Sequence, residues 1–486
     1  MTFLIILLIL SVLFLQFMEG NWKATTILTI LIGFLQDPLR KLTPGQPTWM
    51  VGLVLIGFLL TAAAIYAERR GYMNVKAIVW TMPTLGDWLP IYFMLIAFQA
   101  LNSFARFRSI TMTFSGVIFY IAPMLGLWIG FQIGCNQWLL RRLVIFYVVL
   151  SSIVAITVFM SYQGFDHTIL QEVGDGIEII FRYGFHAKGA SGLWRTSEIA
   201  GWQLTAAACF SITLAFSMSK IENQIGLLML AAMFTFLTIL TGRRKAITMV
   251  VVYVVIYLLL FSRRSSPASK ERVITNILGV AGLSYVAYTV LLAGNLGDNF
   301  GEYVTRAASS TSDLGDRFSS QGLSAMFRAI EISNGIGLGA GVGSNAGNFS
   351  FAAARNSIGS ASFVAEGGGG RLILELGLPG LFILATIGWM LTVLLMRNFK
   401  LLRYLPESTT NLYVGLLSFA LANLPFFYSA SQVYSDPFIL ILMSIATGSF
   451  LSVPTVLSQQ QYLLQQQRQY SISAASQSSA VPTLRN

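Results

Sequence analysis

Thirteen apolar runs separated by polar turns constrain this chain more than any other feature. They fall near residues 2–18, 24–36, 48–67, 87–103, 109–133, 143–163, 199–218, 224–241, 246–262, 273–293, 372–396, 411–428 and 433–455. A bilayer's hydrocarbon core takes about 20 apolar residues per helix. Lipid offers no partner to backbone N–H and C=O groups, so each run must close its own hydrogen bonds as a helix. The second run is short and the fourth has polar flanks. The expectation is therefore an all-α polytopic membrane protein with 12 or 13 transmembrane helices. The runs are solidly apolar rather than alternating, which argues against a transmembrane β-barrel. Composition agrees: 55% of residues are hydrophobic and only 10% charged, against roughly 25% charged in soluble domains. With a mean hydropathy of +0.69, a soluble globular enzyme, a disordered chain and a collagen-like fibre are excluded. The first run has no basic stretch before it and no small-residue cleavage pattern, so it reads as a retained helix.

Lys and Arg outnumber Asp and Glu by 31 to 20, for a net charge of +11. Most of this excess reads as positive-inside bias rather than nucleic-acid binding. Arg141 and Arg142, Lys220, Arg263 to Arg272, and Arg397 to Arg403 all fit one threading with those turns cytoplasmic. That threading puts two long loops outside. The expected divisions are N-terminal transmembrane helices (1–163), a first extracytoplasmic loop (164–198), central helices (199–293), a large extracytoplasmic loop capping the site (294–371), C-terminal helices (372–455) and a disordered or loosely helical cytoplasmic tail (456–486). In the N-terminal third, Glu68-Arg69-Arg70 and Asp37 to Lys41 cannot both be cytoplasmic. Residues 317–333 have a helical apolar pattern within the second loop.

Three constellations carry chemistry. Thr241-Gly242-Arg243-Arg244-Lys245 is a triple-positive turn on the expected outer side, against the positive-inside rule. Guanidinium forks bind phosphate through paired hydrogen bonds, so Arg243 and Arg244 are candidates for a pyrophosphate clamp. The plainer reading is snorkelling to lipid headgroups. Arg182 and Arg195 lie in the first outer loop, and Arg195 stands three residues before Glu198. This is either a second anion contact or a surface ion pair with N-terminal capping by Thr196 or Ser197. Glu366 precedes Gly367 to Gly370 and Arg371, and reads as a general base for a hydroxyl or as an ordinary loop acid. The alternating glycines from Gly335 to Gly343 lack the Gly-Lys-Ser/Thr ending of a nucleotide loop.

Absences narrow the chemistry further. The sequence has no Asp-x-Asp pair, Walker motif, Gly-x-Ser-x-Gly or His-Glu-x-x-His. Two cysteines, Cys135 and Cys209, and two histidines, His167 and His186, are too few for a thiolate or imidazole metal centre. The expected metal and cofactor complement is none.

Four stretches resemble the bacterial O-antigen ligase and polymerase superfamily. Thr241-Gly242-Arg243-Arg244-Lys245-Ala246 resembles its Ser-Gly-Ser-Arg-Gly-Ala turn, with Arg244 at the arginine position. Asp316-Arg317-Phe318 followed by Gly335-Ile336-Gly337-Leu338-Gly339 resembles its outer-loop pattern. Glu375-Leu376-Gly377-Leu378-Pro379-Gly380 is close to its Glu-x-Gly-Leu-Pro-Gly, and Gly192 to Gly201 is weakly similar to a further stretch. The likeness spans roughly residues 180–400. It implies a glycosyltransferase of the bacterial inner membrane, with its site facing the periplasm. An undecaprenyl-pyrophosphate-linked glycan would be donor and a glycan hydroxyl acceptor, with a chain-length regulator or export machinery as partner. Arg243 and Arg244 would then hold the departing pyrophosphate, helped by Arg195, with Arg182, Arg317, Arg328 and Arg371 as further contacts. The family's ligases often carry His-Asn where this chain has Glu366-Gly367, which favours a polymerase over a ligase. A non-catalytic exporter or flippase is a further alternative.

Overall fold

The computed structural model describes residues 2–68, 83–173, 178–180, 186–263, 275, 300–308, 318–343, 367–429 and 431–478. The helices are α1 (Thr2–Met18), α2 (Trp22–Leu42), α3 (Leu53–Glu68), α4 (Pro83–Phe107), α5 (Ile110–Gly134), α6 (Gln137–Tyr162), α7 (Ser197–Ser217), α8 (Ile221–Leu240), α9 (Arg244–Ser262) and α10 (Phe300–Ala308). A π-helical turn, Phe318–Ser324, leads into α11 (Ala325–Ser333). Then follow α12 (Gly368–Leu401), α13 (Glu407–Ser429), α14 (Pro437–Leu451) and α15 (Val453–Ser478). A three-residue antiparallel pair, β1 (Glu178–Ile180) and β2 (His186–Lys188), sets Glu178 opposite Lys188.

Among the described residues, nine helices are long and apolar enough to cross a membrane. The number becomes ten if Pro437–Leu451 and Val453–Leu463, bent by 42°, form one broken span. The expectation of 12 or 13 differs for three identifiable reasons. Thr2–Met18 has only 17 residues. Trp22–Leu42 carries Lys23, Asp37, Arg40 and Lys41. The run near 273–293 lies outside the described residues.

α7 is the central pillar. Its side chains are buried on nearly every face, so large apolar residues such as Trp202, Phe210 and Phe216 and small polar ones are spread all round it rather than sorted to one stripe. Trp202 Nε1 donates to Asn423 Oδ1 of α13 (3.0 Å), and Thr205 Oγ1 donates to the Ala246 carbonyl of α9 (3.0 Å). Among the described helices, α5 and α14 pack together most extensively. Gly126, Gly130 and Gly134 follow at every fourth residue, and any Cβ there would strike the α14 backbone or Ser444, Ile445 and Ser449. In lipid, helices associate through such small-residue contacts because apolar burial gives no bias. Ser449 Oγ completes the seam by donating to the Gly130 carbonyl (3.0 Å).

Contacts trace two ends of the bundle. At the first, Ala190 N donates to the Leu240 carbonyl (3.3 Å) and Lys41 Nζ donates to the Gly192 carbonyl (2.7 Å). At the second, Tyr413 Oη donates to the Gly134 carbonyl (2.8 Å) and Asn411 Nδ2 to the Phe216 carbonyl (2.7 Å). Glu68 lies at this second end, in a cleft with Lys23, Gln137 and Gln459. Glu68 and the Asp37 to Lys41 cluster thus sit at opposite ends of the bundle, while Arg69 and Arg70 lie outside the described residues. Of the two readings of the tail, disordered or loosely helical, its described part is helical: α15 runs to Ser478.

Gly368, Gly369 and Gly370, which follow Glu366 and Gly367 in the sequence, are helix. α12 begins at Gly368, and glycine is needed there: a Cβ on Gly368 would lie 2.5 Å from Phe427 and one on Gly369 2.9 Å from Met326. α12 then breaks at Gly377, whose φ of +74° and ψ of −175° suit glycine alone. Pro379 follows and has no N–H to continue the ladder. The break leaves carbonyls without helical partners, and the alternating-glycine strap supplies them. Leu338 N donates to the Leu374 carbonyl (2.8 Å), and Gly339 N to that of Glu375 (3.2 Å). Gln99 Nε2 of α4 reaches the Leu376 carbonyl (3.3 Å) and the Ile336 carbonyl (2.8 Å). Gly335, Gly337, Gly339 and Gly341 all have positive φ. A Cβ on Gly339 would lie 2.5 Å from the Ser103 backbone, so the alternation serves close threading between helices.

Candidate functional site

The charged turn between α8 and α9 is built tightly. Gly242 takes a φ of +67°, and its N–H bonds the Ile239 carbonyl at 2.9 Å. Arg243 occupies the N-cap position of α9, where its side chain makes no cap. Arg244 and Lys245 open the helix, and the Lys245 ammonium donates to the Ser429 carbonyl at the end of α13. Three cations at a helix N-terminus are the wrong sign for the helix dipole. An anion bound there would relieve that conflict.

A fourth cation arrives from α10. Arg306 Nε donates to the Gly242 carbonyl (3.0 Å). Burial, together with the neighbouring Arg244 and Arg243 guanidinium groups, pushes Arg306 down to about 10. Arg243 is aimed from the other side: its Nε donates to Ser197 Oγ (3.0 Å), and its Nη1 lies 3.8 Å from Glu198 Oε1. Glu172 Oε1 in turn accepts from Ser197 N (2.8 Å). Burial raises the Glu172 carboxyl, against the opposing pull of the Ser197 N–H, Arg243 and Lys41.

Arg195 does not pair with Glu198. Its Nη1 donates to Asp37 Oδ1 of α2 (3.0 Å) and to Asp436, and its backbone N–H donates to Asp37 Oδ2 (3.2 Å). Asp436 also caps α14 through Phe438 N (2.8 Å) and Ile439 N (3.2 Å). Arg195 therefore ties the loop before α7 to two other helices, and its charge is met by two carboxylates of its own chain. Thr196 caps α7 through Ile199 N, as the sequence suggests.

Arg371 is fully buried in α12. Its Nε donates to Glu375 Oε1 (3.1 Å) and its Nη1 to Ser435 Oγ (2.8 Å) and the Ser431 carbonyl (3.3 Å). Its guanidinium carbon lies 3.8 Å from the centroid of Phe119. Glu375 also accepts from Gly341 N (3.1 Å) and Gly343 N (3.0 Å). The glycine run thus cradles a carboxylate of its own chain. Arg328 is exposed on α11 and makes no hydrogen bond or ion pair among the described residues. Glu366, Arg182 and Arg317 lie outside the described residues.

The structure thus brings together Arg243 and Arg244, and adds Arg306, Glu172, Asp37 and Asp436, which sequence reasoning did not assign. A sequence signal existed for Asp37: a carboxylate followed by Arg40 and Lys41 at the end of an apolar helix needs partners. Among the described residues, no group of three His, Cys, Asp or Glu side chains is placed to hold a metal ion. The chain matches no family model and no curated protein.

Proposed function

We propose that this membrane protein polymerises lipid-linked oligosaccharide units by glycosyl transfer, at the end of the bundle that carries Arg243 and Arg244. The observation that carries the reading is the convergence of Arg243, Arg244 and Arg306 from two separate segments on one turn. A diphosphate leaving group needs charge compensation as its bond to the anomeric carbon breaks, and preorganised guanidinium groups supply it. The acceptor hydroxyl oxygen forms the new bond to that carbon from the opposite face. Its proton passes to a carboxylate, for which Glu366 is the choice, and the lipid diphosphate leaves with the electron pair. Ser197 and Glu198 orient Arg243, with Glu172 fixing Ser197. By the sequence resemblance, the donor is an undecaprenyl-pyrophosphate-linked glycan, and this end faces the periplasm of a bacterial inner membrane.

The test is expression of Arg244→Ala and Glu366→Gln in a host deleted for the chain, with the polysaccharide separated on a gel. Loss of long chains from both supports the assignment, and normal long chains from both would overturn it. A deletion host that retains single repeat units on the final acceptor fits a polymerase. One that accumulates long chains on the lipid carrier fits a ligase.

A further inference from the structure

α4 and α5 form an antiparallel hairpin joined by two polar rungs. Tyr92 Oη donates to the Tyr120 carbonyl (2.8 Å), and Thr113 Oγ1 donates to Ser103 Oγ (3.3 Å). Between the rungs the helices part into a groove of about 560 Å³. Ala97 and Ala100, three residues apart on α4, face Val117 and Ile121 on α5 across it. Their short side chains make the notch, and the buried Ile96 lies at its base. Its rim is Phe93, Leu101 and Phe104, all exposed. The volume lies within the range of small-ligand pockets. The lining is almost wholly apolar, and its one hydroxyl, on Thr113, is already engaged.

Just past the Ser103–Thr113 rung the chain turns through Phe107, Arg108 and Ser109. Arg106 and Arg108 are both exposed there, with Arg106 held by Asn102 Oδ1 at 2.9 Å from its Nε. No carboxylate occurs between Asp87 and Asp166 to compensate them locally. An apolar slot on the outer surface of two membrane-crossing helices, headed by two cations at the helix ends, has the polarity of one molecule. We propose that this groove binds a single anionic phospholipid, one acyl chain between α4 and α5 and its phosphate on Arg106 and Arg108. The site shares no residue with the arginine turn, so it stands or falls independently of the glycosyl-transfer reading.

The test is native mass spectrometry of the full chain released from detergent micelles, with added phosphatidylglycerol or phosphatidylcholine of identical acyl chains. The wild type is expected to retain one phosphatidylglycerol roughly thirtyfold more tightly than phosphatidylcholine, from two arginine contacts. The double variant Arg106→Gln/Arg108→Asn should lose that preference; asparagine is chosen because residue 108 has a φ of +53°. Ala97→Trp should lose retention of both lipids, and Ala100→Leu serves the same end if Trp impairs folding. Equal retention of the two lipids by the wild type would overturn the proposal. So would a double variant that keeps the preference, or a chain that holds no lipid because a second copy fills the groove.

Discussion

Removing the carboxylate of Glu375 tests how the broken helix α12 is held. Arg371 and Glu375 are a buried pair, and deleting one partner of such a pair ordinarily costs about 3–5 kcal/mol, because the other charge is left without compensation. Glu375→Gln should show that loss. The double replacement Arg371→Met/Glu375→Leu separates this site from an ordinary ion pair. Elsewhere, exchanging both charges for apolar side chains is often neutral or stabilising. Here two backbone donors, Gly341 N and Gly343 N, also end on Glu375. Each orphaned buried donor costs about 1–3 kcal/mol, so the double variant should remain about 2–6 kcal/mol less stable than wild type. Thermal unfolding in detergent, followed by the intrinsic fluorescence of the nine tryptophans, reads the difference. A double variant that melts at or above the wild-type temperature would refute the claim that the carboxylate anchors the glycine strap.

Other outcomes follow from single sites. Gly377→Ala should destabilise the fold by at least about 1–3 kcal/mol, because its backbone lies where only glycine is at ease and its Cβ would meet the Ile336 carbonyl; an unchanged melting temperature counts against the break. Arg306→Gln should weaken stabilisation by added inorganic pyrophosphate, read as a smaller rise in melting temperature; an equal rise would remove Arg306 from the anion site. Glu172 holds its proton more tightly when folded than when unfolded. Its contribution to stability is therefore full below the ordinary value of 4.5 and fades as pH rises through its higher folded value. Glu172→Gln should flatten the fall in melting temperature over that window, and a wild-type slope in the variant would exclude Glu172 as its source.

Much of the bundle was legible because a spanning helix announces itself through length and apolarity alone. The helix over 318–333 was legible from its apolar periodicity, and the Thr196 cap from neighbours three residues away. The partners of Arg195 were not. Asp37 is 158 positions before it and Asp436 is 241 after it, and no local spacing links them. Arg306 was hidden likewise, since its contact is a backbone carbonyl rather than a matching side chain. The glycines misled in another way. The alternation from Gly335 to Gly341 resembles a nucleotide loop without its ending, whereas the structure uses the missing side chains to let backbones approach.

The interruption in α12 also bears on how the chain is made. Among the described residues, the donors that quench its stranded carbonyls come earlier in the polypeptide than the carbonyls themselves: Gln99, Leu338 and Gly339 all precede Leu374, Glu375 and Leu376. A chain synthesised from its N-terminus has therefore already delivered these donors when residues 374–376 emerge. Vectorial synthesis thus spares this helix an interval in which naked peptide oxygens would face hydrocarbon.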